Sequence, residues 1–116
     1  MDHSKEMVRL AYEALSDKKG EDIRILAISQ VYVLADYFII ANGSSENQVK
    51  ALVDNVEEYL HKGGYEVKQR EGQGLGNWVL LDFGDLIVHV FDRENRLFYD
   101  LERIWSDGRT VEIDSL

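Results

Sequence analysis

Three histidines, a few closely spaced carboxylates and two glycine-rich stretches are the residues of this 116-residue chain with the types to do chemistry. Asp82-Phe83-Gly84 spells the magnesium-binding tripeptide of protein kinases. A kinase also needs a glycine loop over the phosphates, a strand lysine and a catalytic loop, and a chain this short cannot hold that set. Gly72, Gly74 and Gly76 give G-x-G-x-G ahead of a strand; dinucleotide binding needs G-x-G-x-x-G opening a helix. Gly43-Ser44 is the better candidate. Small residues between a buried strand and a helix N-terminus expose backbone N–H groups to an anion. A nucleotidyltransferase built on such a turn needs two carboxylates one residue apart on the next strand to hold magnesium. The segment after Gly43 is instead a helix pattern without that pair. Asp92-Arg93-Glu94 has the spacing but lies far downstream, and Asp100 and Glu102 fall on a predicted helix, where positions i and i+2 diverge.

His3, His61 and His89 fall on a terminus, a helix end and a strand with no ligand-like spacing, so the sequence implies no metal site and no cofactor. His89 shares a face with Asp82, yet no nucleophile motif such as G-x-S-x-G accompanies them. It reads either as a hydrogen-bonding member of a surface patch or as a satisfied core histidine. Nothing in these residues argues for an enzyme.

The elements that position them follow from periodicity. Val8, Ala11, Tyr12 and Leu15 recur at helical spacing from Ser4 to about Lys18, and Gly20 stops that helix. Arg24 to Ile28 and Tyr37 to Ala41 read as strands, the second apolar enough to be buried on both faces. Ser45 and Gln48 form a capping-box pattern ahead of a helix whose apolar stripe is Val49, Leu52, Val53, Val56 and Leu60. Gly63-Gly64 ends it, Tyr65 to Lys68 reads as a further strand, and residues 72–77 read as a mobile loop. Trp78 to Phe83 and Leu86 to Phe91, separated by Gly84-Asp85, predict a tight antiparallel hairpin. Leu97, Leu101, Ile104 and Trp105 suggest one or two short helices, and residues 108–116 read as a short polar tail. The expectation is a single α/β domain over residues 1–107, with a mixed sheet of about five strands and flanking helices.

With Gly84-Asp85 as the turn, the hairpin register is fixed. One face carries Val79, Leu81, Phe83, Leu86, Val88 and Val90 and must be core. The other carries Trp78, Leu80, Asp82, Ile87, His89 and Phe91, with Trp78 opposite Phe91 and Leu80 opposite His89. Aromatic anchors among polar groups are what binding hot spots contain. Either helices cover this side too, making it a second core face, or it is left open as a docking surface.

Composition narrows the partner. Hydrophobic residues make up 45% of the chain, so it is globular, and a net charge of -9 repels phosphate backbones and anionic membranes. A basic protein is the natural partner, with little or no direct nucleic-acid contact. Cysteine is absent, as suits a reducing cytosol. Apolar runs such as Val31 to Ala35 fall far short of the ~18 residues a membrane-spanning helix needs. The charged start shows no secretory pattern, so a cytoplasmic protein is expected.

Three blocks then carry a resemblance: Asp36-Tyr37-Phe38-Ile39-Ile40-Ala41-Asn42-Gly43-Ser44-Ser45, the stretch from Gly76-Asn77-Trp78 through Asp82-Phe83-Gly84-Asp85 to His89-Val90-Phe91, and Arg96-Leu97-Phe98-Tyr99-Asp100-Leu101-Glu102-Arg103-Ile104-Trp105. In order, from about Ser4 to Asp107, the chain closely resembles the ribosomal silencing factor family, also called Iojap-like. The resemblance implies a small domain related in fold to nucleotidyltransferases but without their catalysis. It implies binding to the large ribosomal subunit through its universal ribosomal protein fourteen, a block on joining of the small subunit, and repression of translation when nutrients run short. Carried over by position, the interface candidates are Trp78, Leu80, Asp82, Asp85, His89, Tyr99 and Glu102, while Gly43 and Ser44 match a vestigial phosphate-loop position. The expected state is a monomer on the ribosome. The alternatives are a nucleotide-binding or nucleotidyl-transferring enzyme using Gly43-Ser44, and an adaptor whose mixed face pairs with itself in a homodimer.

Overall fold

The computed structural model describes residues 3–28, 35–72, 78–93 and 109–116. The apolar spacing of the first segment produces helix α1 (His3–Asp17), with Met7, Val8, Ala11, Ala14 and Leu15 on its buried side. Strand β1 (Glu21–Ala27) follows, then β2 (Tyr37–Gly43), which is buried at every position after Tyr37, as its near-continuous apolar run demands. Helix α2 (Glu46–Lys62) starts at Ser45, whose extended backbone and side-chain oxygen cap the Gln48 N–H. It buries Val49, Leu52, Val53, Val56 and Leu60, the stripe read from the sequence.

β3 (Gln69–Glu71), β4 (Trp78–Asp82), β5 (Leu86–Asp92) and β6 (Arg109–Val111) complete a six-stranded sheet of order β3-β4-β5-β2-β1-β6. Every neighbouring pair is antiparallel except β2 and β5, so the sheet is mixed. The hairpin register is the expected one, with Trp78 opposite Phe91 and Leu80 opposite His89.

Two expectations shift. Tyr65 to Lys68 does not form a strand: Tyr65 and Val67 pack on the core, but ladder pairing begins only at Gln69, opposite Asp82. Nor do residues 109–116 behave as a polar tail. Val111 pairs with Ile25, and Val111, Ile113 and Leu116 pack against the core, so the last residues extend the sheet beyond β1. Three residues of strand are too few to announce themselves by alternation. The helical stretch expected through Leu97, Leu101, Ile104 and Trp105 lies outside the described residues.

Both helices lie on one face of the sheet. Their stripes join Val79, Leu81, Phe83, Leu86, Val88 and Val90 in the main core, which is the hairpin face assigned there from sequence. The opposite face holds a second, smaller cluster: Leu26, Ile28, Ala35, Phe38, Ile40, Ile87 and Phe91, with Trp78 and Leu80 packed at its margin.

Candidate partner-binding site

The site grows out of the β4–β5 turn. Gly84 sits at φ +94°, a conformation that favours glycine, and the Phe83 N–H closes the turn on the Leu86 carbonyl at 2.9 Å. The Asp82 carboxylate accepts from the Gly84 N–H at 2.8 Å and so holds the turn from within. Asp85 keeps its side chain exposed, while its carbonyl accepts from the Asp36 and Tyr37 N–H groups at 2.9 and 3.1 Å. Those bonds start the parallel β2–β5 ladder. One turn therefore fixes both the hairpin and its place in the sheet. The tip of Lys68 lies over Gly84, adding a cation that sequence reading had not placed there.

Along β4, burial alternates, leaving Trp78, Leu80 and Asp82 half-buried between buried Val79 and Leu81. Trp78 lies almost parallel to Phe91, with centroids 5.6 Å apart, and the Phe38 ring meets His89 edge-on at 4.8 Å. The Trp78 indole N–H points to His89 Nδ1 at 3.3 Å. At the near end of the strand, Gly72 has φ +80°, and a Cβ there would fall 2.0 Å from the Trp78 carbonyl oxygen. Only glycine lets β3 pass so close to Trp78.

His89 is neither of the things its sequence context suggests. It is only 4% exposed, so it is not part of a surface patch, and its Nε2 has no hydrogen-bond partner among the described residues, so it is not a satisfied core histidine. Burial pushes its pKa down to about 4. Of the seven interface candidates, the structure brings Trp78, Leu80, Asp82 and His89 onto one face, with Asp85 at the turn beside it. Tyr99 and Glu102 lie outside the described residues. Phe38 and Ile40 of β2 are the contributors that sequence reading missed, although alternation along β2 assigns them to this face.

The Gly43-Ser44 turn is the other place where chemistry could sit. The parallel register sets Gly43 opposite Asp92, so a carboxylate that looked far downstream lies beside the turn. The space is taken, however. Gln48 Oε1 accepts from both the Ser44 N–H and the Ser44 hydroxyl at 2.6 Å, while its amide donates to the Lys18 and Lys19 carbonyls at 3.2 and 2.9 Å. The capping box is thus offset by one residue, with Gln48 serving Ser44 rather than Ser45. Nearby, Arg93 grips Glu21 through two bonds and Asn42 adds a third at 2.7 Å. The Arg93 hydrogen bond is the main reason the Glu21 carboxyl is held below its usual range. Among the described residues no cluster of three His, Asp or Glu side chains is placed to hold a metal, and no helix is long and apolar enough to cross a membrane.

Comparison with known proteins agrees with this architecture. The family model described as "Ribosomal silencing factor during starvation" matches residues 1–116. A ribosomal silencing factor from Halalkalibacterium halodurans is 38% identical over 113 residues, covering 97% of each chain. One from Bacillus subtilis is 37% identical over 112 residues, covering 97% of this chain and 95% of the other. A crystal structure of a protein from Chromobacterium violaceum superposes with a TM-score of 0.88 at 40% identity, covering 97% of this chain and 92% of that one. With the whole length matched in sequence and nearly all of it in structure, the chain belongs to the ribosomal silencing factor family.

Proposed function

We propose that this protein is a non-enzymatic, cytoplasmic repressor of translation, called on when nutrients run short. It binds the large ribosomal subunit through the universal ribosomal protein fourteen and sterically blocks the small subunit. The observation that carries the reading is the outer margin of β4. There Trp78 and Leu80 stay half-buried over an apolar cluster, beside the carboxylates of Asp82 and Asp85. Large aromatic anchors flanked by charge suit a protein partner that is basic. Tyr99 and Glu102 complete the proposed contact set. From Asp82 onward the chain carries nine acids against four bases, which suits a basic partner. That charge would mainly speed encounter, while the buried aromatic contact sets how long the complex lasts. The protein acts as a monomer on the subunit, whatever pairing it adopts when free.

The test is sedimentation of the purified protein with separated ribosomal subunits on a sucrose gradient. Comigration with the large subunit alone, with fewer joined ribosomes once small subunits are added, is the expected result. Protein left at the top of the gradient, with joining unaffected, would overturn the proposal.

A further inference from the structure

We infer that His89 is a positioning residue for Trp78: it holds the indole in one orientation from inside the sheet, so the docking margin is set before any partner arrives. The inference rests on the docking reading above and assigns His89 a role other than touching the partner.

The geometry argues for it in three steps. First, His89 has no surface to offer: it is 4% exposed, and its Nε2 is fully enclosed. Second, the bond to Trp78 fixes its chemistry. An indole N–H only donates, so His89 Nδ1 must be the acceptor at 3.3 Å, and the ring proton must sit on Nε2. Third, that tautomer leaves the Nε2–H buried without a partner among the described residues, a cost that native structures rarely carry without a reason. An apolar residue would avoid it. Among the described residues, the side chains packed around position 89 on this face are apolar: Leu80 lies opposite on β4, Ile40 beside it on β2, with Phe38, Ile87 and Phe91 around them, while the Asp82 carboxylate is turned to the Gly84 N–H. What none of those apolar side chains supplies is an acceptor for the indole.

The imidazole is itself immobilised. Phe38 meets it edge-on, and the rings of Phe91 and Trp78 lie nearly parallel to it at 6.4 and 6.1 Å. Trp78 and His89 are diagonal neighbours across the β4–β5 ladder, within reach of long side chains. A half-exposed tryptophan has several accessible rotamers. Tying its N–H to a ring that cannot move selects one, and ordering an anchor beforehand reduces what binding must spend on it.

The first measurement needs no variant. Nitrogen-15 spectra of the histidine rings should show His89 with an unprotonated Nδ1 and a protonated Nε2 near neutral pH. A protonated Nδ1 would overturn the inference at once. The second compares His89→Phe, which keeps a ring and loses the acceptor, with His89→Asn, whose Oδ1 can take the place of Nδ1. The Trp78 indole N–H resonance, read in a Trp105→Phe background, should move in His89→Phe and return towards its original position in His89→Asn. Binding to the large subunit should weaken about tenfold in His89→Phe, the scale of ordering one large side chain, and recover to within about threefold in His89→Asn. Equal losses in both variants would mean that the ring itself is what matters and would overturn the positioning role. So would full binding by a folded His89→Phe whose indole has moved. If Trp78→Ala leaves binding unchanged, it is the docking reading that fails, whatever the tautomer.

Discussion

At the carboxyl ends of β2 and β5, Ser44, Gln48, Asn42, Glu21 and Arg93 satisfy one another, whereas along β4 Trp78 and Leu80 stay half-exposed beside a histidine with an idle N–H. The first place has the outline of an anion site, a glycine-serine turn at a helix N-terminus with a carboxylate opposite, yet the side chain of Gln48 fills it. The second shows no outline of catalysis among the described residues and keeps Trp78 and Leu80 half-exposed. A region whose described polar side chains are bonded to one another offers less to a ligand. On the proposed reading, a region that keeps an aromatic side chain half-exposed over a buried cluster is the one with binding energy to offer a partner.

The largest expected effect concerns the idle histidine. His89 stays neutral in the fold down to about pH 4, while in the unfolded chain it takes up a proton below about 6.5. Its contribution to stability is therefore complete above pH 6.5 and is lost as pH falls towards 4, by about 3 kcal/mol in all. The rings packed on His89 among the described residues, those of Trp78, Phe38 and Phe91, do not titrate in this range. Denaturant titrations from pH 7 to pH 4 should show this loss in the wild type and a flatter profile in His89→Asn. Identical profiles would show that His89 is not buried as described.

Next in size, Trp78→Ala should weaken large-subunit binding by about 2 kcal/mol or more while the protein still unfolds cooperatively. Wild-type affinity in that variant would remove the contrast between the two regions. Gln48→Ala probes the closed side. Losing the bonds to Ser44 and to the α1–β1 turn should cost about 1 kcal/mol of stability, with large-subunit affinity unchanged. Calorimetric titration with ATP and magnesium should give no heat with the wild type, and a response there would reopen the closed region as a site. Smallest of all, Asp85→Asn should slow association about twofold at low salt and have no effect at high salt, as expected of an exposed rim charge.

What could be read from the sequence was local. The two-residue turn at Gly84-Asp85 fixed the strand register, and with it the face shared by Trp78, Leu80 and His89, because a hairpin's pairing is determined by its own residues. The α2 stripe and its Ser45 cap were legible for the same reason. Pairings between distant segments were not. Asp92 faces Gly43 only because β5 lies parallel to β2, and Val111 pairs with Ile25 from far along the chain. The burial of His89 also depends on Phe38, which β2 brings in from outside the hairpin. The offset in the capping box arises from the carbonyls of Lys18 and Lys19, which belong to a turn no pattern around Gln48 could reveal.

The pairing of β6 with β1 has a consequence for how the protein is made. Strand β1 leaves the ribosome about 80 residues ahead of β6, the strand that covers its outer edge. At ~5–20 residues per second, the nascent chain carries an unpaired edge for on the order of ten seconds, and an unpaired edge is a template for pairing with other chains. The exposed Asp22 and Arg24 lie just before Ile25–Ala27, the stretch that β6 covers, and charge beside an open edge disfavours stray pairing.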